Sequence, residues 1–517
     1  MRRLDIIKNV GSSWFSLGVN ILVGIFLSPF ILHRLGNTAY GAWILAFSVT
    51  GYYGLFDLGI RSSVIRFVST YSATQDRDGL ARLINTSLAL YTAIGVAAML
   101  ATLAVSAWAG SLFRIPLDFL PTAKMLFLMV GGAVAIGFPT GLFGGVLEGL
   151  GRFYAVNVTN LAATLARAAL ILLALTHGYG LLTVALITVA LPLLASTVRA
   201  LIALRLVRVP LGWRYVERGA LTQIARYSGA SFALMVAYKL RFKTDELVIS
   251  TMLSVAAVTF FSVGDRLVDY TMEVVGSLAQ VFVPMSGQSA ARGDAAHLRK
   301  IFIAGNRACA LVVFPITATL IILGKQIITA WVGPSYVAAS YPVMLALLVP
   351  STFALAQAAS TRILYGMAKH QSLAWVSSME AVANVVLSII LVRPLGIFGD
   401  ALGTAIPLAC TALYFMPRHL CRLLGVRLGT FLREAYTLPL LLVAPAVAAL
   451  LLVSRWFFAH NYLQVGLQIL VGLAPYGLGL AWAYRSGRLL RITGAGSPAP
   501  PDAVDAALVQ GFQEERR

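Results

Sequence analysis

The stretch "GSSWFSLGVNILVGIFLSPFIL", residues 11 to 32, contains no charged side chain. A helix of about 20 apolar residues crosses the hydrocarbon core of a bilayer, which is roughly 30 Å thick. The stretch lacks the small-residue cleavage site of a signal peptide and is longer than a signal-peptide core, so it predicts a retained membrane helix. The whole chain has the same character, since 59% of its 517 residues are hydrophobic and only 12% are charged. The sequence therefore predicts an all-α polytopic membrane protein.

Apolar stretches of membrane-spanning length recur along the chain and predict 14 transmembrane helices. Their predicted bounds are 11–32, 40–60, 84–108, 121–147, 155–176, 181–204, 226–250, 257–283, 302–324, 341–364, 372–392, 397–416, 435–454 and 463–484. Every connection is too short for a soluble domain to fold between helices. The function is therefore expected to lie within the membrane.

Basic residues predict the orientation of these helices. Most of the 40 Lys and Arg residues lie at the amino terminus, in the loops after even-numbered helices and in the carboxyl tail. The positive-inside rule then places both termini in the cytoplasm. The net charge of +20 suits anionic membrane lipids as partners and does not favour a nucleic-acid partner. The tail at 491–517, rich in Gly, Ser and Pro near its start, is expected to be disordered and cytoplasmic.

An internal repeat divides the predicted helices into two sets of six. The segment "KNVGSSWF" (Lys8–Phe15) is similar to "RYSGASFA" (Arg226–Ala233), which begins the second set. Because six is even, both sets enter from the same side and are expected to be related by an axis along the membrane normal. The predicted domains are 1–207 and 208–420, two six-helix lobes around a central cavity, then 421–490 with helices 13 and 14, and the tail. This architecture is typical of transporters that work by alternating access.

The sequence contains no pattern typical of an enzyme. The three cysteines, Cys309, Cys410 and Cys421, are scattered, and the six histidines have no metal-ligand spacing. Neither a phosphate-binding glycine loop nor a nucleophile elbow occurs. We therefore expect no catalytic residue, no metal and no cofactor. A membrane glycosyltransferase or polymerase is disfavoured because no external loop is long enough to hold its catalytic groups.

The stretch "LSPFILHRLGNTAYGAWILAFSVTGYYGLFDLGIRSSVIRFVS" (Leu27–Ser69) resembles the amino-terminal signature of the bacterial O-antigen and polysaccharide flippases. The similar features are the Leu-Gly turn, the Tyr-Gly pair that opens helix 2 and the Asp-Leu-Gly that ends it. That family belongs to the multidrug/oligosaccharidyl-lipid/polysaccharide exporter superfamily, and the likeness extends over nearly the whole chain.

The resemblance implies a cargo and a location. The implied substrate is a polyprenyl-diphosphate-linked oligosaccharide, moved from the cytoplasmic to the periplasmic leaflet of the bacterial inner membrane for O-antigen or exopolysaccharide synthesis. It also implies the polysaccharide polymerase machinery as a partner, and a proton or sodium ion as a coupling ion. A peptidoglycan lipid-precursor flippase is the nearest alternative. A cation-coupled multidrug antiporter shares the fold, but an organic cation calls for a net acidic cavity, whereas helix 7 has three cations and two acids.

Those five charges lie in "VAYKLRFKTDEL", residues 236 to 247, within a predicted membrane helix. The matching positions of helix 1 are uncharged, so the fold itself does not require charge there. Each ionisable group near a helix centre costs about 2.5–3.5 kcal/mol, so the group is expected to face the cavity. Lys239, Arg241 and Lys243, with Arg266 of helix 8, are the candidate ligands of the substrate diphosphate.

The acids near these cations are candidates for ion pairing or for coupling to a proton or cation gradient. They are Asp245, Glu246, Asp265, Asp269 and Glu273. Asp269 follows Arg266 by three residues and can pair with it. Two alternatives stay open: the charges form an ion-pair network that fixes the bundle, or helix 7 ends before Lys239 and leaves the group in an external loop.

Two further patterns have both a packing and a binding interpretation. Tyr52, Tyr53 and Phe56 can stack on sugar rings, although aromatic side chains in membrane helices more often pack or lie at the interface. Glycines recur every four residues in helix 4, at 137, 141, 145 and 149. Such a stripe favours close approach of a neighbouring helix.

Overall fold

The computed structural model describes residues 3–488, except 58, 223, 225–243, 368 and 370. Within these residues the chain is helical and contains no strand. The α-helices are α1 Arg3–Leu35, α2 Asn37–Tyr52, α3 Ile60–Ala73, α4 Arg77–Leu112, α5 Leu120–Gly149, α6 Phe153–Thr176, α7 Leu181–Val207, α8 Asp245–Met252, α9 Val255–Ala279, α10 Phe282–Ala291, α11 Ala295–Trp331, α12 Val337–Ala356, α13 Ala358–Gly366, α14 Gln371–Cys410, α15 Met416–Leu424, α16 Leu428–Trp456 and α17 Tyr462–Arg485. The prediction of an all-α polytopic membrane protein is confirmed.

Ten of the described helices are long and apolar enough to span a membrane, or eleven if α2 and α3, bent by 45°, form one span. The number of spans found among the described residues is lower than the fourteen predicted, for the following reasons. Most of the predicted span 226–250 lies outside the described residues. The region of the predicted span 257–283 contains α9, which has four ionisable side chains. The predicted spans 372–392 and 397–416 are counted as one, because α14 and the helical residues after it form the continuous stretch Trp375–Leu424.

Helix α14 reverses direction at Gly396 and forms a helical hairpin. Gly396 has a φ of 61° and a ψ of −143°, a conformation that side chains with a Cβ rarely adopt. Across the two arms, Asn384 Nδ2 donates to Thr404 Oγ1 at 2.7 Å, and Ser388 Oγ donates to the Asp400 carbonyl at 3.2 Å. These contacts join residues 20 and 12 positions apart, so the arms are antiparallel. The two separate spans predicted here correspond to the two arms.

Close packing of the arms depends on a glycine. A Cβ added to Gly403 would lie 2.5 Å from the Ser388 backbone nitrogen, which is closer than real side chains approach. The small residue therefore brings the first arm, with Asn384 and Ser388, against the second arm, with Asp400 and Thr404. The hairpin sets the positions of these polar groups.

The described chain divides into two compact units. Unit 1 comprises Met1–Asp265, Trp331–Val343 and Ser377–Thr404, and unit 2 comprises Arg266–Ala330, Met344–Val376 and Ala405–Arg517. In unit 1, α2, α4, α5 and α7 enclose an apolar core that includes Leu45, Leu126 and Val130. The segment at 331–343 joins this unit through hydrogen bonds, since Trp331 Nε1 donates to the Ile25 carbonyl at 2.6 Å. The predicted lobes 1–207 and 208–420 stay a prediction.

Unit 2 is organised around aromatic contacts on α11 and α16. The Phe302 and Phe431 rings stack with their centroids 4.4 Å apart. Arg307, nearly buried, donates to the Glu434 carbonyl from Nε at 2.9 Å. Tyr476 of α17 donates from its hydroxyl to the Leu311 carbonyl on α11. These bonds attach α16 and α17, the helices predicted to lie outside the repeat, to α11.

Candidate functional site

The cations predicted to bind the substrate are described only in part. Lys239, Arg241 and Lys243 lie outside the described residues. Arg266, on α9, is exposed and forms the ion pair expected from its spacing, with Arg266 Nη1 3.9 Å from Asp269 Oδ2. Its guanidinium carbon also lies 5.8 Å from the centroid of the Tyr270 ring, a cation–π distance. Whether these cations bind the cargo stays a prediction.

The five predicted acids differ in burial. Asp245 and Glu246 open α8 and are each only 6% exposed. Negative side chains in a first turn complement the helix dipole, which is one reason why the helix begins at this point. Asp265 and Asp269 are half-buried, and Glu273 is exposed. Water therefore stabilises the charges of Asp245 and Glu246 less than those of the other three acids.

Asp245 belongs to a buried group of polar side chains that combines α8 with the α14 hairpin. Thr404 Oγ1 lies 3.1 Å from each carboxylate oxygen of Asp245 and can donate to one of them at a time. The same hydroxyl accepts the bond from Asn384. We call Asp245, Glu246, Asn384, Asp400 and Thr404 the acidic cluster; all five residues belong to unit 1.

Asp400 is the least satisfied member of the acidic cluster. It is 0% exposed, and neither of its carboxyl oxygens has a hydrogen-bond partner among the described residues. The Asp245, Glu246 and Asp265 carboxylates all act on it electrostatically and repel a negative charge there. A buried carboxylate without a partner is strongly unfavourable, and bound protons or cations relieve that cost. The geometry therefore suits the uptake of a proton or a cation.

The acidic cluster contains two kinds of oxygen atom that can bind a cation. Carboxylate oxygens come from Asp245 and Asp400, and a hydroxyl oxygen comes from Thr404. Such oxygen ligands suit hard cations rather than soft metals. Among the described residues, no three His, Cys, Asp or Glu side chains are arranged to hold a metal ion.

Sequence reasoning identified Asp245 and Glu246 but missed Asp400, Asn384 and Thr404. A signal for Asp400 was available, because it is the only charged residue in the predicted span 397–416. A lone ionisable residue inside a membrane helix is a functional candidate by default. Thr404 and Asn384 had no such signal, because uncharged polar side chains are common in membrane helices.

The three aromatic residues predicted as sugar-stacking candidates have different surroundings. Tyr53 is buried, its ring stacks on Phe56 with centroids 5.9 Å apart, and its hydroxyl accepts from Thr102 at 3.2 Å. The Tyr52 hydroxyl forms a 2.7 Å hydrogen bond with Thr244, the residue before Asp245. Phe56 is 37% exposed. Tyr53 thus has a packing role, while sugar stacking stays a prediction.

Comparisons with known proteins agree with this architecture. Residues 32–341, more than half of the chain, match the model of a family described as polysaccharide biosynthesis protein. The chain is 21% identical over 423 residues to the uncharacterized membrane protein EpsK of Bacillus subtilis, covering 80% of this chain and 83% of that protein. It is 22% identical over 433 residues to a putative O-antigen transporter of Shigella flexneri, covering 79% of this chain and 96% of that protein.

A solved structure has a similar fold. The lipid II flippase MurJ, in an inward closed conformation, superposes with a TM-score of 0.73 at 16% sequence identity. The match covers 93% of this chain and all of that one. At this identity the likeness shows the fold alone. The family match agrees with the resemblance seen in the sequence: the chain is a multi-pass membrane protein that belongs to the polysaccharide biosynthesis protein family.

Proposed function

We propose that this protein is a flippase that carries a polyprenyl-diphosphate-linked oligosaccharide from the cytoplasmic to the periplasmic leaflet of the bacterial inner membrane. The observation that carries the proposal is the family match over residues 32–341. The Shigella relative, named as a putative O-antigen transporter, supports a saccharide cargo. Transport leaves the cargo chemically unchanged, so we place the protein among transporters and not among enzymes.

The acidic cluster supplies the proposed coupling to an ion gradient. A proton or a sodium ion that binds beside Asp400 and Asp245 neutralises buried charge, and its release restores the repulsion between the carboxylates. Binding and release therefore change which packing of α8 against the α14 hairpin is the more stable. This difference between two states is what an ion gradient needs in order to drive alternating access. Asp265, Asp269 and Glu273 belong to the proposal as ion-pairing groups.

The cations of the sequence prediction supply the complementary charge. A diphosphate that leaves water needs positive charge near it, and charge pairing is stronger in a low-dielectric cavity than in solvent. Lys239, Arg241, Lys243 and Arg266 are the proposed ligands of the cargo. Anionic membrane lipids are the proposed partners of the basic loops, and the polymerase machinery is the proposed recipient of the flipped cargo.

Depletion of the protein in its native cell tests the cargo. A lipid-linked oligosaccharide should accumulate in the cytoplasmic leaflet, and mass spectrometry of the lipid extract identifies its sugars. Re-expression of the intact chain should remove the intermediate and restore surface polysaccharide. Accumulation of the peptidoglycan precursor instead would assign the alternative flippase function. Unchanged lipid intermediates together with increased sensitivity to cationic drugs would assign the antiporter function.

Proteoliposomes test the coupling. Cargo movement is measured under an imposed proton gradient and, separately, under an imposed sodium gradient. Acceleration by one gradient identifies the coupling ion. Equal rates under both gradients and in their absence would contradict the role proposed for the acidic cluster, while leaving the identity of the cargo intact.

A further inference from the structure

The loop after α7 is fixed to α4 by side-chain hydrogen bonds. It comprises residues 208–217, and we call it the connecting loop. Asn85 Nδ2, on α4, donates to the Pro210 carbonyl at 3.0 Å, and Asn85 Oδ1 accepts from the Gly212 backbone N–H at 2.8 Å. One buried amide side chain thus holds the backbone on both sides of Leu211.

Two more contacts hold the far end of the connecting loop to α4. The Glu217 backbone N–H donates to Thr86 Oγ1 at 3.1 Å, and Glu217 Oε2 lies 3.3 Å from Arg82 Nε. Between the two attachments the chain forms a short 3₁₀ turn at Trp213–Tyr215. All of these residues belong to unit 1. The connecting loop therefore has a defined conformation that α4 imposes.

The connecting loop exposes large apolar side chains although its backbone is well bonded. Trp213 is 80% exposed, and Leu211 is 49% exposed. Apolar surface is stabilised by its removal from water, and a tryptophan ring has more of this surface than most side chains. Because α4 fixes the backbone on both sides of Leu211, the two side chains form a preformed apolar face that points away from unit 1.

Four exposed arginines surround this apolar face. They are Arg205 in the last turn of α7, Arg208 and Arg214 in the connecting loop, and Arg218 directly after it. No acidic side chain of the described residues lies within ion-pair distance of any of the four. Glu217, the one acid of the connecting loop, is paired with Arg82 instead. The apolar face is therefore flanked by positive charge that no neighbouring acid neutralises.

The attachment to α4 indicates the depth of the connecting loop in the membrane. The span predicted for this helix begins at residue 84, so Asn85 and Thr86 lie in its first turn. The helix residues before the span include the charged Arg77 and Arg82, which favour water. On the predicted topology this end of α4 faces the cytoplasm. The hydrogen bonds of Asn85 and Thr86 thus hold the loop where the hydrocarbon meets the cytoplasmic headgroups.

We propose that the connecting loop is a membrane anchor that inserts Leu211 and Trp213 among the cytoplasmic headgroups and binds anionic phospholipids through its arginines. Tryptophan favours this level, because its ring leaves water while its indole N–H still finds polar partners. Each basic side chain near an anionic surface adds to the attraction. The inference deepens the lipid partnership of the proposed function and rests on that function for the topology, not for the cargo.

A soluble protein is the other class of partner that a face of tryptophan and arginine fits. The depth of the loop favours lipid, because a loop fixed to the first turn of a span lies beside headgroups. The two partners also predict opposite results in a bilayer that contains only the purified protein. Lipid shields Trp213 there, whereas a face that awaits a protein leaves Trp213 in water.

Quenching by brominated phospholipids in nanodiscs tests the insertion. The fluorescence that full-length wild type loses on Trp213→Phe is the contribution of Trp213. Acyl chains brominated near the headgroup should quench that contribution by more than half. Quenching over a range of lipid mixtures gives the affinity for phosphatidylglycerol relative to phosphatidylcholine, which should exceed one several-fold at Trp213. The matched control is Trp108→Phe, because Trp108, 64% exposed near the other end of α4, lies beside no such group of arginines and should give a ratio near one.

The arginines are tested with the double variant Arg208→Gln and Arg214→Gln. Its phosphatidylglycerol preference at Trp213 should fall several-fold towards one, because two of the four flanking charges are lost. Arg455→Gln, which removes an exposed arginine of α16, should leave the preference at the wild-type value. Trp213→Phe and both arginine variants should keep the wild-type melting temperature, since every replaced side chain is exposed.

A Trp213 contribution that brominated lipids leave unquenched would overturn the anchor and assign the face to a protein partner. A relative affinity near one at Trp213 in the wild type would overturn the preference for anionic lipids. A reporter fusion after Val216 that reports the periplasm would overturn the leaflet. None of these results concerns the cargo. If depletion causes no lipid-linked saccharide to accumulate while Trp213 is quenched as expected, the anchor stands and the proposed cargo is wrong.

Discussion

At the scale of single residues, Asp400 has the environment that most needs an explanation. Its carboxyl group is fully buried, has no hydrogen-bond partner among the described residues and lies in the field of the Asp245, Glu246 and Asp265 carboxylates. Stability alone does not favour such a group, since an apolar or amide side chain avoids the cost of burying a carboxylate. A role in binding a proton or a cation accounts for its position. The proposed coupling therefore depends on this residue more than on the exposed acids of α9.

Replacing Asp400 with asparagine separates stability from coupling. Asn has nearly the same shape as Asp but carries no charge and takes up no proton. Because it avoids the cost of burying a carboxylate, the melting temperature of Asp400→Asn should equal or exceed that of the wild type. Transport driven by the coupling gradient should fall about tenfold or more, as expected for loss of a group worth at least 1.4 kcal/mol in the coupled step. Proteoliposome flux and thermal unfolding are measured on the same preparation.

The matched control is Asp118→Asn, which neutralises an exposed carboxylate in the connection between α4 and α5. It should change neither flux nor melting temperature. Gradient-driven flux at the wild-type rate in Asp400→Asn would remove Asp400 from the coupling mechanism and assign the buried carboxyl a structural role.

At the scale of elements, the α14 hairpin is the device that brings the cluster together. Asn384 and Thr404 are 20 residues apart, yet they hydrogen-bond because the chain reverses at Gly396 and the arms meet at Gly403. The bond from Thr404 then fixes the position of Asp245 at the start of α8. A substitution at Gly396, where the chain reverses, is therefore expected to disturb the acidic cluster although it replaces none of the cluster's own side chains.

Gly396→Ala should destabilise the hairpin by about 1–3 kcal/mol, because a Cβ is strained at a φ of 61° and a ψ of −143°. We expect a lower melting temperature and a parallel loss of gradient-driven flux. The control, Gly477→Ala in α17, adds a Cβ where no neighbouring atom of the described residues lies within 4 Å. That change should leave the protein as stable or raise its stability by up to about 1 kcal/mol. Equal melting temperatures for the two variants would contradict the strain argument.

At the scale of the whole molecule, the distribution of basic residues should determine which side of the membrane each loop faces. Fusions of alkaline phosphatase and green fluorescent protein report opposite sides. Fusions after Asp78, Val216 and Arg427 should all report the cytoplasm, and fusions after Asn37, Phe119 and Gly333 should report the periplasm. A single inverted site within one of the predicted lobes would contradict the repeat and the alternating access that depends on it.

The sequence by itself determined the membrane class, the approximate positions of most helices and the family. Hydropathy and charge act locally, through the transfer of each segment from water to lipid, so these features can be predicted from the sequence alone. Tertiary structure alone decided which polar groups meet. Thr404 reaches Asp245 across 159 positions, and Arg61 and Glu148 are separated by 87. Tertiary structure also decided the surroundings of the evenly spaced glycines of α5. A Cβ added to Gly149 would lie 2.8 Å from the Ile65 carbonyl oxygen, whereas at Gly141 no atom of the described residues lies within 4 Å. Such contacts depend on how distant helices pack, and no local property of the chain encodes that packing.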